Sequence, residues 1–178
     1  KYLGVLARTE NPAGIKPDFW FYLGDVAGKL KHYDEAENAY SRYLQNSTDA
    51  AGKAKVLLAL GATKIAAHKP DDAEKIASEI MTLQPEGKVN AEARLLEGDV
   101  QFERQRFEDA GKAYAGVALL YDDPAITPRA LNKAADAYRR AGKTDEADHV
   151  AKQLRDQFDV RSFTAPRTSS REFEEWLQ

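Results

Sequence analysis

In a chain of 178 residues with no cysteine, the side chains best suited to acid–base or metal chemistry are three histidines, His32, His68 and His149. None has a second histidine or a carboxylate at metal-ligand spacing, beyond the acids expected on helix surfaces, so no metal site is expected. Ser41, Ser47, Ser78, Ser162, Ser169 and Ser170 lack the context of an activated nucleophile. The paired acids Asp71-Asp72, Asp122-Asp123 and Glu174-Glu175 fall at turns or on a helix surface, where capping and solvation explain them. Gly24, Gly61 and Gly98 do not cluster into a loop that could cradle phosphate. Asn46-Ser47-Thr48 matches a short glycosylation acceptor but reads as a turn. Arg139 and Arg140, with Lys133 and Lys143, form a modest basic patch near a helix end, where cations favour the helix dipole. With nucleophile, base and stabiliser all missing as a set, the chain is expected to be non-enzymatic and to need no cofactor.

The elements that would position any site must therefore be read from pattern. With 43% hydrophobic and 31% charged residues, the chain can bury a core. Its 26 basic against 29 acidic residues, net charge −3, provide no general attraction to a polyanion, so nucleic acid is not expected as a partner. No apolar run approaches the roughly 18 to 20 residues needed to span a bilayer, which argues against membrane insertion. The lack of cysteine fits a cytoplasmic or a periplasmic protein equally. The first residue is Lys1 rather than methionine, as in a piece excised from a longer protein.

Self-comparison reveals the organising feature. Gly24, Gly61, Gly98 and Ala135 recur every 37 residues, and Ala36, Ala73, Ala110 and Ala147 recur at the same interval, twelve residues after each first member. A fixed period of this size marks stacked repeats. Around these anchors the apolar residues recur at helical spacing, as in Trp20, Leu23 and Ala27, then Ala36, Tyr40 and Tyr43. Each unit reads as two helices joined by a short turn: Lys31-His32-Tyr33-Asp34, His68-Lys69-Pro70-Asp71, Gln105-Arg106-Phe107 and Gly142-Lys143-Thr144-Asp145. The small residues are expected where helices cross closely, offsetting a helix-propensity loss of about 1 kcal/mol per glycine.

The first unit, with Trp20, Leu23, Gly24, Tyr33, Ala36 and Tyr40, resembles the tetratricopeptide repeat family. Leu57, Leu60, Gly61, Ala73 and Pro85 carry the likeness in the second unit, where Ala77 replaces an aromatic. The third keeps Gly98, Phe107, Ala110 and Tyr114 but has Arg94 and Glu97 in the opening pattern, and the fourth keeps Leu131, Ala135, Tyr138, Gly142 and Ala147. The period is three longer than the family's usual 34, which places extra residues in the inter-repeat turns or in longer helices. The resemblance implies an all-α, right-handed α-solenoid of antiparallel helix pairs. Four repeats are expected over residues 17–158, with 1–9 the tail of a preceding repeat helix. Residues 159–178 would form a linker and a C-terminal capping helix, entered through Ser169-Ser170-Arg171-Glu172 and covering the last repeat with Phe173, Trp176 and Leu177.

The resemblance further implies that the first helices line a concave groove. Residues offset by one from the core stripe of the first helix are Asp18, Phe21, Asp25 and Gly28; one period on come Lys55, Leu58, Ala62 and Ile65. The next two sets are Glu92, Leu95, Asp99 and Phe102, then Arg129, Asn132, Asp136 and Arg139. Phe21, Leu58, Ile65, Leu95 and Phe102 make this stripe apolar in its middle, with Asp25, Asp99 and Asp136 beside it. It suits either a peptide with apolar anchors and a basic residue, or internal packing of a tight superhelix. Family members that bind chaperone tails hold a carboxylate with Lys, Asn and Arg, a clamp not recognisable in Phe21, Asp25 and Ala62. Two functions are consistent with this pattern: a non-catalytic scaffold binding a protein or peptide partner in the groove, or a structural or self-associating spacer segment of a larger multidomain protein, forming a homo-oligomer through its repeat ends.

Overall fold

Proline has no amide hydrogen to donate, so it is tolerated in the first turn of a helix, where no acceptor awaits it. Pro17, Pro70 and Pro128 take that place in a computed structural model that describes residues 15–84 and 86–158. The described residues form α1 (Pro17–Lys29), α2 (Tyr33–Asn46), α3 (Ala50–Ala66), α4 (Pro70–Thr82), α5 (Gly87–Glu103), α6 (Phe107–Leu120), α7 (Thr127–Arg140) and α8 (Thr144–Phe158). Among them there is no strand, and each helix packs on the next, with α3 also against α5. The fold is an all-α solenoid. The helices expected within residues 1–9 and 159–178, and Pro85, lie outside the described residues.

Both expected sources of the longer period are present. Helices α3 and α5 run to 17 residues each, whereas α7 has 14 and follows a longer turn over residues 121–126. That turn is tied by its own side chains. Asp123 accepts from the amides of Ala125 at 2.8 Å and Ile126 at 3.0 Å, and the Thr127 hydroxyl donates to the Tyr121 carbonyl at 2.7 Å. Asp49 similarly caps α3, accepting from the Ala51 and Gly52 amides.

The turns inside the repeats share one backbone shape. Lys31, His68, Gln105 and Gly142, spaced by 37, all have positive φ, at 61°, 56°, 60° and 73°. The amide after each donates five residues back, as His32 does to the Ala27 carbonyl, while the left-handed residue's own amide donates three back, as Lys31 does to Gly28. This is a Schellman ending repeated four times, which stops the first helix and reverses the chain in three residues. A left-handed residue with a Cβ is strained by roughly 1–2 kcal/mol, and only Gly142 avoids that. We therefore expect Gln105→Gly to raise the unfolding free energy by about 0.5–1 kcal/mol and Gly142→Ala, whose Cβ would meet nothing within 4 Å, to lower it by about 1 kcal/mol. Urea titration followed by circular dichroism reads both, and equal effects of the two would refute the shared-turn account.

Side chains from α1 to α5 form one core, including Trp20, Tyr40, Leu57, Ile76 and Leu96; a second, from α5 to α8, includes Leu95, Tyr114, Leu131 and Val150. Helix α5 belongs to both, with Ala93, Leu96 and Val100 in the first and Ala91 and Leu95 in the second. A helix placed between two repeats must bury two faces, which explains its weak amphipathicity.

The glycines accommodate side chains rather than bare backbone. A Cβ on Gly98 would lie 2.5 Å from the Tyr114 ring, and one on Gly24 the same distance from Tyr40, the tyrosine following each glycine by sixteen residues. In the second repeat Ala77 stands at that place, and Leu96 from the following repeat fills the space over Gly61 instead. In the fourth, Ala135 stands at the glycine's place and Ala151, sixteen residues on, at the tyrosine's.

Ion pairs run between repeats along the turns. Lys69 reaches Glu37 at 3.3 Å and Asp34 at 3.8 Å, Lys143 reaches Glu108 at 3.8 Å, and Arg104 bridges Asp71 at 2.5 Å and Glu74 at 2.8 Å. Each pair has at least one exposed partner, so it contributes little to stability individually and serves mainly to favour one register between neighbours.

Candidate partner-binding groove

Because α3, α5 and α7 present equivalent faces, residues one period apart are brought side by side. Ile65 of α3, Asp99 and Phe102 of α5, and Asn132 and Asp136 of α7 line a single pocket of about 460 Å³. Five residues of the sequence-derived stripe thus converge. Glu103, Tyr114 and Lys133 complete the lining. The sequence placed Tyr114 in the packing motif and Lys133 in a basic patch, and gave Glu103 no role, although Glu103 and Lys133 each directly follow a stripe residue. The available signal was that a pocket between two helices draws on both flanks of a stripe.

The floor of the pocket is a polar pair. The Tyr114 hydroxyl, almost wholly buried, donates to Asp99 Oδ1 at 2.5 Å, and Lys133 Nζ donates to the same oxygen. Burial first, and the Asp99 charge second, push the Tyr114 phenol far above its ordinary value, so it remains a donor at any physiological pH. The Lys133 ammonium also lies 5.4 Å from the Tyr114 ring centre. At the rim, Arg140 pairs with Asp136 at 3.2 Å and stacks 4.8 Å over the Phe102 ring, and His68 contacts Glu103.

A related niche lies two periods earlier, between α1 and α3. Asp25, Gly28, Lys29, Tyr40, Ala59 and Ala62 correspond to Asp99, Phe102, Glu103, Tyr114, Lys133 and Asp136, and line a pocket of about 290 Å³ with Tyr33, Thr63 and Ala66. Its carboxylate, Asp25, is paired with Lys29 at 2.7 Å, and burial together with Asp25 pushes Tyr40 up to about 12.

Other members of the stripe stand apart from these pockets. Asp18 and Arg139 are exposed; Phe21 and Leu58 are half-buried against the first core, with Lys55 Nζ 4.9 Å over the Phe21 ring; Glu92 pairs with Arg129 of the next repeat. Leu95, placed in the stripe by periodicity, is only 2% exposed and belongs to the second core. Its position one residue off the core stripe still points inward because α5 is covered on both sides.

Among the described residues no three His, Asp or Glu side chains gather as metal ligands, and no helix is long and apolar enough to cross a membrane.

These features define an all-α solenoid of tetratricopeptide-like helix pairs, with pockets between its first helices. The solved structure of MamA MSR-1 C2, a TPR-containing protein, has this fold: it matches with a TM-score of 0.60 over 90% of this chain and 86% of that one, at 20% identity. No protein-family model and no curated protein matches the chain.

Proposed function

We propose that the chain is a non-catalytic scaffold that holds a peptide or protein partner in the groove formed by α1, α3, α5 and α7. The observation that carries this reading is the convergence of Ile65, Asp99, Phe102, Asn132 and Asp136 on one pocket. Half-buried apolar walls with a few polar groups offer both an anchor and a means of discrimination. Asp18, Phe21, Asp25, Leu58, Glu92 and Arg139 extend the surface on either side. The four-repeat organisation over residues 17–158 supplies its length.

Ala62 and Asn132 are exposed and line the two pockets, so Ala62→Trp with Asn132→Trp fills the groove without changing its charge. Affinity capture from source lysate, with fold checked by circular dichroism, is expected to yield a partner on the native chain that is lost on this variant. Equal capture by both would overturn the groove reading.

A second reading is favoured by the outer face of α1, where Phe19, Tyr22, Val26 and Leu30 are 39%, 66%, 44% and 53% exposed. One and two periods on, the places of Phe19 and Val26 are held by Val56, Ala93, Thr63 and Val100, all buried. A second copy of the chain covering this face would make the array a self-associating spacer. No capture by either form, together with a mass that rises with concentration in light scattering, would select this reading.

A further inference from the structure

We infer that the pocket between α5 and α7 is a subsite for a cationic side chain, an arginine or lysine of the bound peptide; this rests on the groove reading and specifies its partner. The pocket is lined by three carboxylates, Asp99, Glu103 and Asp136, and one ammonium, Lys133. Counting Arg140 at the rim, acids still outnumber permanent cations three to two.

Each carboxylate is engaged through one oxygen only. Asp99 uses Oδ1 for Tyr114 and Lys133, Asp136 uses Oδ2 for Arg140, and Glu103 uses Oε1 for His68. Asp99 Oδ2, Asp136 Oδ1 and Glu103 Oε2 have no donor among the described residues. A guanidinium carries five donors in a planar fork, and a lysine ammonium three, so either can meet oxygens that a neutral side chain leaves unmatched. The aliphatic stem of such a residue needs an apolar wall, which Ile65 and Phe102 provide. That this wall accepts a guanidinium is already visible within the molecule: Arg140 lies over Phe102 while ion-paired with Asp136.

The equivalent niche between α1 and α3 serves as an internal control. It keeps the aspartate and tyrosine of the floor, Asp25 and Tyr40, but Lys29 replaces Glu103, Ala62 replaces Asp136 and Gly28 replaces Phe102. One carboxylate already paired with a lysine leaves no surplus negative charge for a cation. The groove is therefore polarised, with its cation-accepting end toward α7, and a peptide carrying one basic residue would bind in a single direction.

The test is an NMR titration of the 15N-labelled chain with the capped pentapeptide Ala-Gly-Arg-Gly-Ala, compared with the same peptide carrying citrulline, the neutral isostere of arginine. Saturable shifts are expected at the amides of Phe102, Glu103, Asn132, Lys133 and Asp136, with none at Asp25, Gly28 or Ala62. The citrulline peptide should bind about tenfold more weakly, the scale of one charge-assisted hydrogen bond. Glu103→Gln with Asp136→Asn should weaken the arginine peptide by a similar factor and leave the citrulline peptide unchanged. Equal shifts by the two peptides at these amides would overturn the cation preference while leaving the groove reading intact. Absence of shifts by either peptide would also overturn it, and the tryptophan-filled variant would then decide the groove reading by itself.

Discussion

Trp20→Ala is expected to lower the unfolding free energy by about 3–5 kcal/mol, the range for removing a fully buried large aromatic side chain. Trp20 has no exposed surface, meets Phe19 edge-on at 5.3 Å and carries the Arg42 guanidinium 4.6 Å above its ring. It anchors α1 in the first core, and α1 packs chiefly on α2, so the cavity has few neighbours able to collapse into it. Leu57 and Leu131 hold the same place one and three periods on, both buried. Trp20→Leu should therefore cost clearly less than the alanine variant. Denaturant titration followed by circular dichroism measures both. Hydrogen exchange adds the location, since neighbours in a repeat array interact only locally and the loss should concentrate in α1 and α2. Equal, small losses for the two variants would mean that the ring is not the anchor of the first repeat.

The second large effect concerns the floor of the pocket. Tyr114→Ala removes a side chain that is 2% exposed, fills the space over Gly98 and donates to Asp99, and should cost about 3–5 kcal/mol. Gly98→Ala should itself destabilise by about 1–3 kcal/mol, because overpacking against the ring outweighs the gain of about 1 kcal/mol in helix propensity. Joined in one chain, the two changes should cost less than their sum, since without the ring the new methyl group enters the cavity. Gly116→Ala in α6 is the control. Its Cβ would meet nothing within 4 Å, so helix propensity alone should stabilise the protein by about 0.5–1 kcal/mol. If Gly98→Ala behaved like Gly116→Ala, the ring would not be held against the glycine, and the geometry beneath Asp99 and Lys133 would have to be reconsidered.

Tyr114 shows how one side chain joins fold to site. Its ring sets the spacing of α5 and α6, and its hydroxyl fixes the Asp99 carboxylate at the base of the pocket. A change there should thus disturb both stability and binding, whereas Asp136→Asn or Glu103→Gln, at the half-exposed rim, should leave stability nearly unchanged.

The amino-acid sequence by itself determined the 37-residue period, the pairing of helices and a stripe of which five residues line one pocket. These follow from local rules: helical spacing of apolar residues, prolines in first turns, and a small residue recurring at one place in every unit. The tertiary structure decided which stripe residues meet. Ile65, Phe102 and Asp136 belong to the first helices of three successive repeats, α3, α5 and α7, and only the stacking of repeats brings them to one cavity while enclosing Leu95 between two cores. It also decided how the second repeat manages without an aromatic at Ala77, through Leu96 from the repeat beyond. The left-handed turns at Lys31, His68 and Gln105 carry no glycine signal, because hydrogen bonding across the turn and packing of the helix pair impose a conformation that those residues do not prefer. Local preference writes the elements, but the cost of leaving apolar faces and polar groups without partners selects how they stack, and it is the stacking that makes the pocket.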